Sequence, residues 1–193
     1  MLNVCVFCGS SSGVNPIYSE AAKEMGRLIA TKGKTLVYGG GNVGLMGVVA
    51  DEVLLNEGKV IGIIPHFLFE WEVGHKNLTE LVKVDSMHER KKMMSDRADA
   101  FVAMPGGFGT LEELAEILTW VQLGIIQKPV GILNVNGFFD GLVAQLDHMV
   151  MEGFLKQENR NLLIAHHNPD KLLYLLENVK AEVVKKWITP DQT

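Results

Sequence analysis

The chain has 193 residues, 47% of them hydrophobic and 21% charged, the size and balance of one soluble domain that buries its own core without disulfides or metal, which excludes disordered and fibrous classes. Eighteen Lys and Arg against 23 Asp and Glu leave a net charge of -5, so there is no broad electrostatic footprint for nucleic acid or an anionic membrane, and any anion must be bound locally. No stretch approaches the ~18 apolar residues of a membrane span, and no basic segment precedes the apolar start MLNVCVFCGS. The expected location is therefore cytoplasmic.

Short β-branched runs alternate with longer stretches of helical period, the signature of βαβ units in a parallel sheet covered on both faces. In chain order the pattern predicts a strand over 2–8, a helix over 16–32, a strand over 35–38, a helix over 43–57 and a strand over 59–64. After an irregular stretch come a strand over 81–84, a helix over 86–97, a strand over 100–104 and a helix over 111–123. A strand over 129–134, a helix over 139–151, a strand over 162–165 and a helix over 169–179 complete the series. Gly33, Gly58, Gly124 and Gly153 stand where helices stop, as left-handed C-caps require. The segment from Pro65 to Asp85 is the one long irregular stretch, of a length usually functional or mobile in a compact domain. One domain is expected over residues 1–180, with 181–193 as a solvated tail.

Cys5 and Cys8 spell C-x-x-C, but at strand period residues three apart face opposite sides, so they read as small buried hydrophobes rather than a redox pair. The six histidines are scattered and give no ligand set at zinc spacing with two cysteines, so no metal site is expected.

Three glycine clusters directly follow predicted strands: Gly9 to Gly13, Gly39 to Gly47 (GGGNVGLMG) and Gly106 to Gly109 within PGGFGT. In an open parallel sheet such loops line one crevice, where backbone N–H groups and helix N-termini receive a phosphate. The plainer reading, tight strand-to-helix turns, accounts for any one loop and poorly for three on one edge. Gly39, Gly41 and Gly44 match G-x-G-x-x-G, yet the next strand, KVIGIIPHF, ends in Pro65 and His66 instead of the acidic ribose ligand a nicotinamide site needs. Gly33, Lys34 and Thr35 spell the end of a P-loop, but Leu28 occupies the place of its first glycine.

Glu113 lies three residues after Thr110 and admits two readings. It can close a capping box with Thr110 as N-cap. Alternatively, at the border of the stripe of Leu111, Leu114, Leu118 and Val121, its shielded carboxylate can stabilise developing positive charge beside the phosphate loop. The helix from Ser86 opens on a second capping box, Ser86 with Glu89, and carries Arg90, Lys91 and Lys92. Lys92 reads as solvated, whereas Arg90 and Lys91 flank the inward stripe of Met87, Met94 and Ala98 and are expected to reach inward toward phosphate or ribose. His88 reads as a satisfied structural histidine.

The run SMHERKKMMSDRADAFVAMPGGFGTLEELAEILTWVQLGI, with its P-G-G-x-G-T-x-x-E motif, resembles the LOG (Lonely Guy) family of cytokinin-activating phosphoribohydrolases. FCGSSSG, YGGGNVGLMG and FFDGL extend the resemblance over all but the last ~30 residues. It implies a single-domain α/β, Rossmann-like homodimer that hydrolyses the N-glycosidic bond of an N6-modified adenosine 5'-monophosphate, with no metal or organic cofactor. The family's catalytic pair falls on Arg90 and Glu113. Its nucleotide contacts fall on Lys91, on Gly107, Phe108, Gly109 and Thr110, and on Glu113, with Glu72 as an acidic contact from the long loop and Thr119 as a helix contact. Gly9, Ser10, Gly40, Gly41 and Gly106 join them as expected substrate contacts from the glycine loops. Chains of this kind have also been labelled lysine decarboxylases, but no lysine stands in a recognisable pyridoxal-phosphate context. The competing reading is a nucleotide-binding carrier or sensor on the same scaffold, with Glu113 only a cap. Ile117 and Trp120, apolar beyond one stripe, are the expected contribution to a dimer interface.

Overall fold

The computed structural model describes residues 2–71 and 74–179. Seven strands, β1 (Asn3–Phe7), β2 (Thr35–Tyr38), β3 (Lys59–Pro65), β4 (Glu80–Val84), β5 (Ala100–Ala103), β6 (Val130–Leu133) and β7 (Leu163–His166), form one parallel sheet in the order β4-β3-β2-β1-β5-β6-β7. Around it lie α1 (Ile17–Thr31), α2 (Gly44–Leu55), α3 (His66–Trp71), α4 (Met87–Arg97), α5 (Phe108–Gln122), α6 (Asp140–Met151), α7 (Gln157–Arg160) and α8 (Pro169–Asn178).

Both faces of the central strand are apolar because both are covered. Val4 and Val6 of β1 pack with Met25 and Ile29 of α1, Val49 of α2 and Leu172 of α8. Cys5 and Phe7 face the other way, toward Met94 of α4 and Leu114 and Ile117 of α5, with Leu146 of α6 beside them. Right-handed crossovers dictate this division: the chain runs outward from β1 to the edge strand β4 with α1 and α2 on one face, then returns through α4 to β5 and runs outward again with α5 and α6 on the other, before α8 closes over the first face. The reversal falls between β1 and β5, where Phe7 stands opposite Ala103. Loops after these two strands diverge over opposite faces and leave a crevice.

All seven expected strands are present, and the six expected helices recur with small shifts of boundary. Three short elements, α3, α7 and a 3-10 turn at Val135–Gly137, lie where no element is predicted. The irregular segment is thus partly ordered: β3 runs on to Pro65, and α3 follows without a break. α5 starts three residues early, at Phe108. Gly33, Gly124 and Gly153 do adopt positive φ, but at the end of α2 the left-handed residue is Glu57 (φ 57°) rather than Gly58. Gly58 is instead required for room, since a Cβ there would lie 2.7 Å from both Ala30 Cβ and Val53 Cγ1. Ile117 is corrected as an interface residue: it is buried inside the protomer. Cys5 and Cys8 are free and buried, one in each core layer. The expected tail over 181–193 lies outside the described residues. Among the described residues, no helix is long and apolar enough to cross a membrane.

Candidate active site

At the switch point the two diverging loops are stitched together by backbone. Met104 N donates to Phe7 O (2.8 Å), Gly9 N to Pro105 O (3.0 Å) and Leu45 N to Gly9 O (3.0 Å). A pocket of about 250 Å3 opens between Gly9 and Ser10 on one side and Gly106 and Gly107 on the other, walled by Tyr18 and Phe138. The two aromatic rings meet edge to face with centroids 5.7 Å apart. Gly106 is fixed by crowding: a Cβ there would overlap the Thr110 hydroxyl and come within 2.8 Å of Gly9 N. Gly107 and Gly109 instead face open space.

The N-cap of α5 is Gly107, with extended backbone and no side-chain cap. The expected capping box is therefore corrected. Thr110 sits inside the first turn, 4% exposed, and Glu113 stands in the second turn, too far along to close a box. With no side-chain cap among the described residues, the α5 N-terminus is suited to offer donors and partial positive charge to an anion. Phe108, 92% exposed, projects from that turn.

On the other side of the same sheet edge, Ser86 caps α4 by accepting from Glu89 N (3.1 Å), and Glu89 reaches back to Asp85 N (2.8 Å). Four residues past the cap and four before the buried Met94, Arg90 points inward as one helical face requires. It is 6% exposed. Its Nε donates to Ile63 O (3.1 Å) and its Nη2 to Gly39 O (2.9 Å), at the ends of β3 and β2. Nη1 has only the Met87 sulfur, at 3.8 Å, as an acceptor among the described residues. A permanently charged group with an unfilled donor face is suited to an anionic ligand.

Glu113 is partly buried and has no hydrogen-bond or ion-pair partner among the described residues. Burial pushes its carboxyl up to about 7, against the opposing charge of Arg90, with smaller contributions from Glu112, Lys91 and Glu116. The Cys8 thiol is pushed up by burial and then by Glu113, and Cys5 is affected the same way. Glu113 thus stands in the second turn of α5, whose N-cap Gly107 lines the glycine crevice.

The remaining expected contacts separate into four groups. Lys91 leans on α5, bonded to Glu112 (2.5 Å) and Glu116 (3.0 Å); burial works against its charge, and these two carboxylates outweigh it. Thr119 is exposed further along α5, its hydroxyl donating to Ala115 O (2.7 Å). Gly40 and Gly41 are buried and lie outside the pocket lining. Glu72 lies outside the described residues. His88 is exposed and has no hydrogen-bond partner among the described residues, which corrects its reading as a satisfied structural histidine. Tyr18 and Phe138, which wall the pocket, escape sequence reasoning because isolated aromatics beside a helix start carry no periodic signal. Among the described residues, no three His, Cys, Asp or Glu side chains are grouped to hold a metal ion.

A sheet and crevice of this kind define a broad class, the Rossmann-like α/β fold with its switch point between two central strands. Solved structures share the fold: the molybdenum cofactor binding protein of Rippkaea orientalis is similar with a TM-score of 0.69 and 24% identity over 91% of this chain and 95% of its own. The molybdenum cofactor carrier protein of Chlamydomonas reinhardtii gives 0.66 and 18% over 91% and 96%. Within that class the sequence is more specific. A family described as "Possible lysine decarboxylase" matches residues 46–176. The Oryza sativa subsp. japonica protein named probable cytokinin riboside 5'-monophosphate phosphoribohydrolase LOGL9 is 49% identical over 90% of this chain and 77% of its own length. Cytokinin riboside 5'-monophosphate phosphoribohydrolase LOG5 of Arabidopsis thaliana is 46% identical over 92% and 78%. The chain belongs to this LOG family.

Proposed function

We propose that the protein hydrolyses the N-glycosidic bond of adenosine 5'-monophosphates, N6-modified ones included, releasing the free base and ribose 5-phosphate. The observation that carries this reading is Glu113: a carboxyl without a hydrogen-bond or ion-pair partner among the described residues, on the helix whose N-cap lines the crevice, and opposed in charge by the buried Arg90 guanidinium. Cleavage of an N-glycoside passes through an oxocarbenium-like transition state, which a nearby anion stabilises far better in a shielded site than in water. The C1'–N bond breaks with its electron pair leaving on the base, and water supplies hydroxyl to C1' and a proton to balance the base. Ionised Glu113 faces the developing cation. Gly106, Gly107, Phe108, Gly109 and Thr110, with Ser10, hold the phosphate through backbone N–H groups, while Gly9, its own N–H given to Pro105 O, keeps the crevice wall narrow; this fixes the sugar for reaction. Arg90 positions ribose and carboxylate.

Lys91 acts from one step behind the ligand, consistent with its pairing to Glu112 and Glu116. Glu72 and Thr119 are retained as outer nucleotide contacts, and Gly40 and Gly41 as support behind the crevice. We place the protein in the cytoplasm as a homodimer. α6 buries no residue completely, and Met151 and Phe154 at its end are 75% and 88% exposed, an apolar surface of the sort that a second copy covers.

The test is incubation with AMP and with its N6-isopentenyl derivative, followed by chromatography. Free base and ribose 5-phosphate in equal amounts are expected. Tight binding with the nucleotide recovered intact would favour a carrier or sensor.

A further inference from the structure

Gly39, Gly40 and Gly41 are adjacent, buried and outside the pocket lining, so a ligand does not account for all three. Gly40 has φ 77°, where a side chain is strained. Gly39 has positive φ neither in fact nor by need; its constraint is space. A Cβ at Gly39 would overlap Arg90 Nη2 and lie 3.0 Å from its Cζ. The backbone cannot withdraw to make room. Gly40 O accepts from His75 N (3.1 Å), Gly41 pairs with Gly74 in an antiparallel bridge, and buried His75 is itself tied through Nε2 to Asp51 Oδ1 of α2 (2.9 Å). On its other side, Gly40 lies against Ile64. Arg90 is the movable partner, since the clash falls on the far end of a flexible side chain.

We infer that Gly39 is a positioning residue for Arg90: the missing side chain is what lets the guanidinium lie flat against the ends of β2 and β3 and fixes where its charge stands beside the crevice. The inference rests on the phosphoribohydrolase reading for its effect on activity, but not for its effect on Arg90 itself. Gly39→Ala displaces the guanidinium without removing it. A misplacement of about 1 Å at such a group costs about 10²-fold in rate, so kcat/KM is expected to fall about that far. The Arg90 Nε–H resonance, protected by its bond to Ile63 O, is expected to lose protection against solvent exchange in the same variant.

The decisive comparison is a cycle with Arg90→Ala. Where the guanidinium is already gone, the added methyl has room, so Gly39→Ala is expected to change kcat/KM by less than about twofold and leave Tm unmoved. Should Gly39→Ala alone fail to fold, recovery of a folded protein in the double variant supports the inference, and continued failure overturns it. Equal, multiplying losses in both backgrounds also overturn it, as does an unchanged Arg90 resonance in Gly39→Ala. If the unsubstituted protein releases no base, the phosphoribohydrolase reading fails instead, and the resonance and the Tm cycle still decide on Gly39.

Discussion

Arg90 and Glu113 hold opposite charges at one sheet edge, and the guanidinium lowers the carboxyl's proton affinity while burial raises it; burial prevails, leaving Glu113 at about 7. The native protein therefore keeps a proton between the ordinary value of 4.5 and about 7 that the unfolded chain has released. Stability attached to that proton is present below the lower value and lost as pH rises through the window. Glu113→Gln is expected to stabilise the protein at pH 8, by roughly 3 kcal/mol at most, and to change little at pH 4.5. Thermal denaturation at the two pH values measures the difference.

The same titration governs activity, because the ionised form is the one that faces the cation. kcat/KM is expected to rise with pH through a limb near 7, and Arg90→Ala, which removes the opposing charge, is expected to move that limb upward while weakening binding. A pH–rate profile of both proteins reads this directly; activity that falls above 7 would assign Glu113 the role of proton donor instead.

Glu113→Gln keeps the crevice and removes the anion. Nucleotide affinity is expected to remain within a few-fold while kcat falls about 10³-fold, the scale of a lost transition-state electrostatic interaction. Calorimetric titration beside single-turnover kinetics separates the two.

The two neighbouring glycines of PGGFGT are expected to fail differently. Gly106→Ala drives a methyl into Thr110 and the Gly9 backbone, costing about 1–3 kcal/mol as overpacking does. Gly107→Ala meets no atom of the described residues within 4 Å, so Tm is expected to hold while the phosphate loses its close approach and affinity drops. A nucleoside without phosphate is correspondingly expected to be cleaved poorly, since remote binding energy is what orients the sugar. Melting curves and rates for nucleotide against nucleoside check both statements.

Phe154→Asp places a charge on the exposed apolar surface past α6. The proposed homodimer is expected to sediment as a monomer in this variant, with little loss of protomer stability.

Period and punctuation made the sheet legible: apolar strands and stop-signal glycines reported backbone geometry that each segment carries locally. Partnerships across the fold were hidden. Arg90 could be read as inward, but its acceptors are the carbonyls of Ile63 and Gly39, groups every residue owns and no sequence pattern marks. Lys91 reads as inward from helical period, but its pairing to Glu112 and Glu116 is invisible in sequence because those carboxylates come from another helix. The Thr110 cap misled because Gly107 starts the helix with backbone alone, leaving the better capping side chain one turn inside. Gly39 carried a fingerprint match whose physical cause lies 51 residues away in Arg90.

The account stands most directly on where the anomeric carbon lies. A crystal structure of Glu113→Gln with uncleaved AMP is predicted to place C1' within about 3.5 Å of the side chain at position 113, a near-attack distance, with the phosphate on the α5 N-terminus. A nucleotide bound with its sugar turned toward Tyr18 and Phe138, remote from position 113, would contradict it.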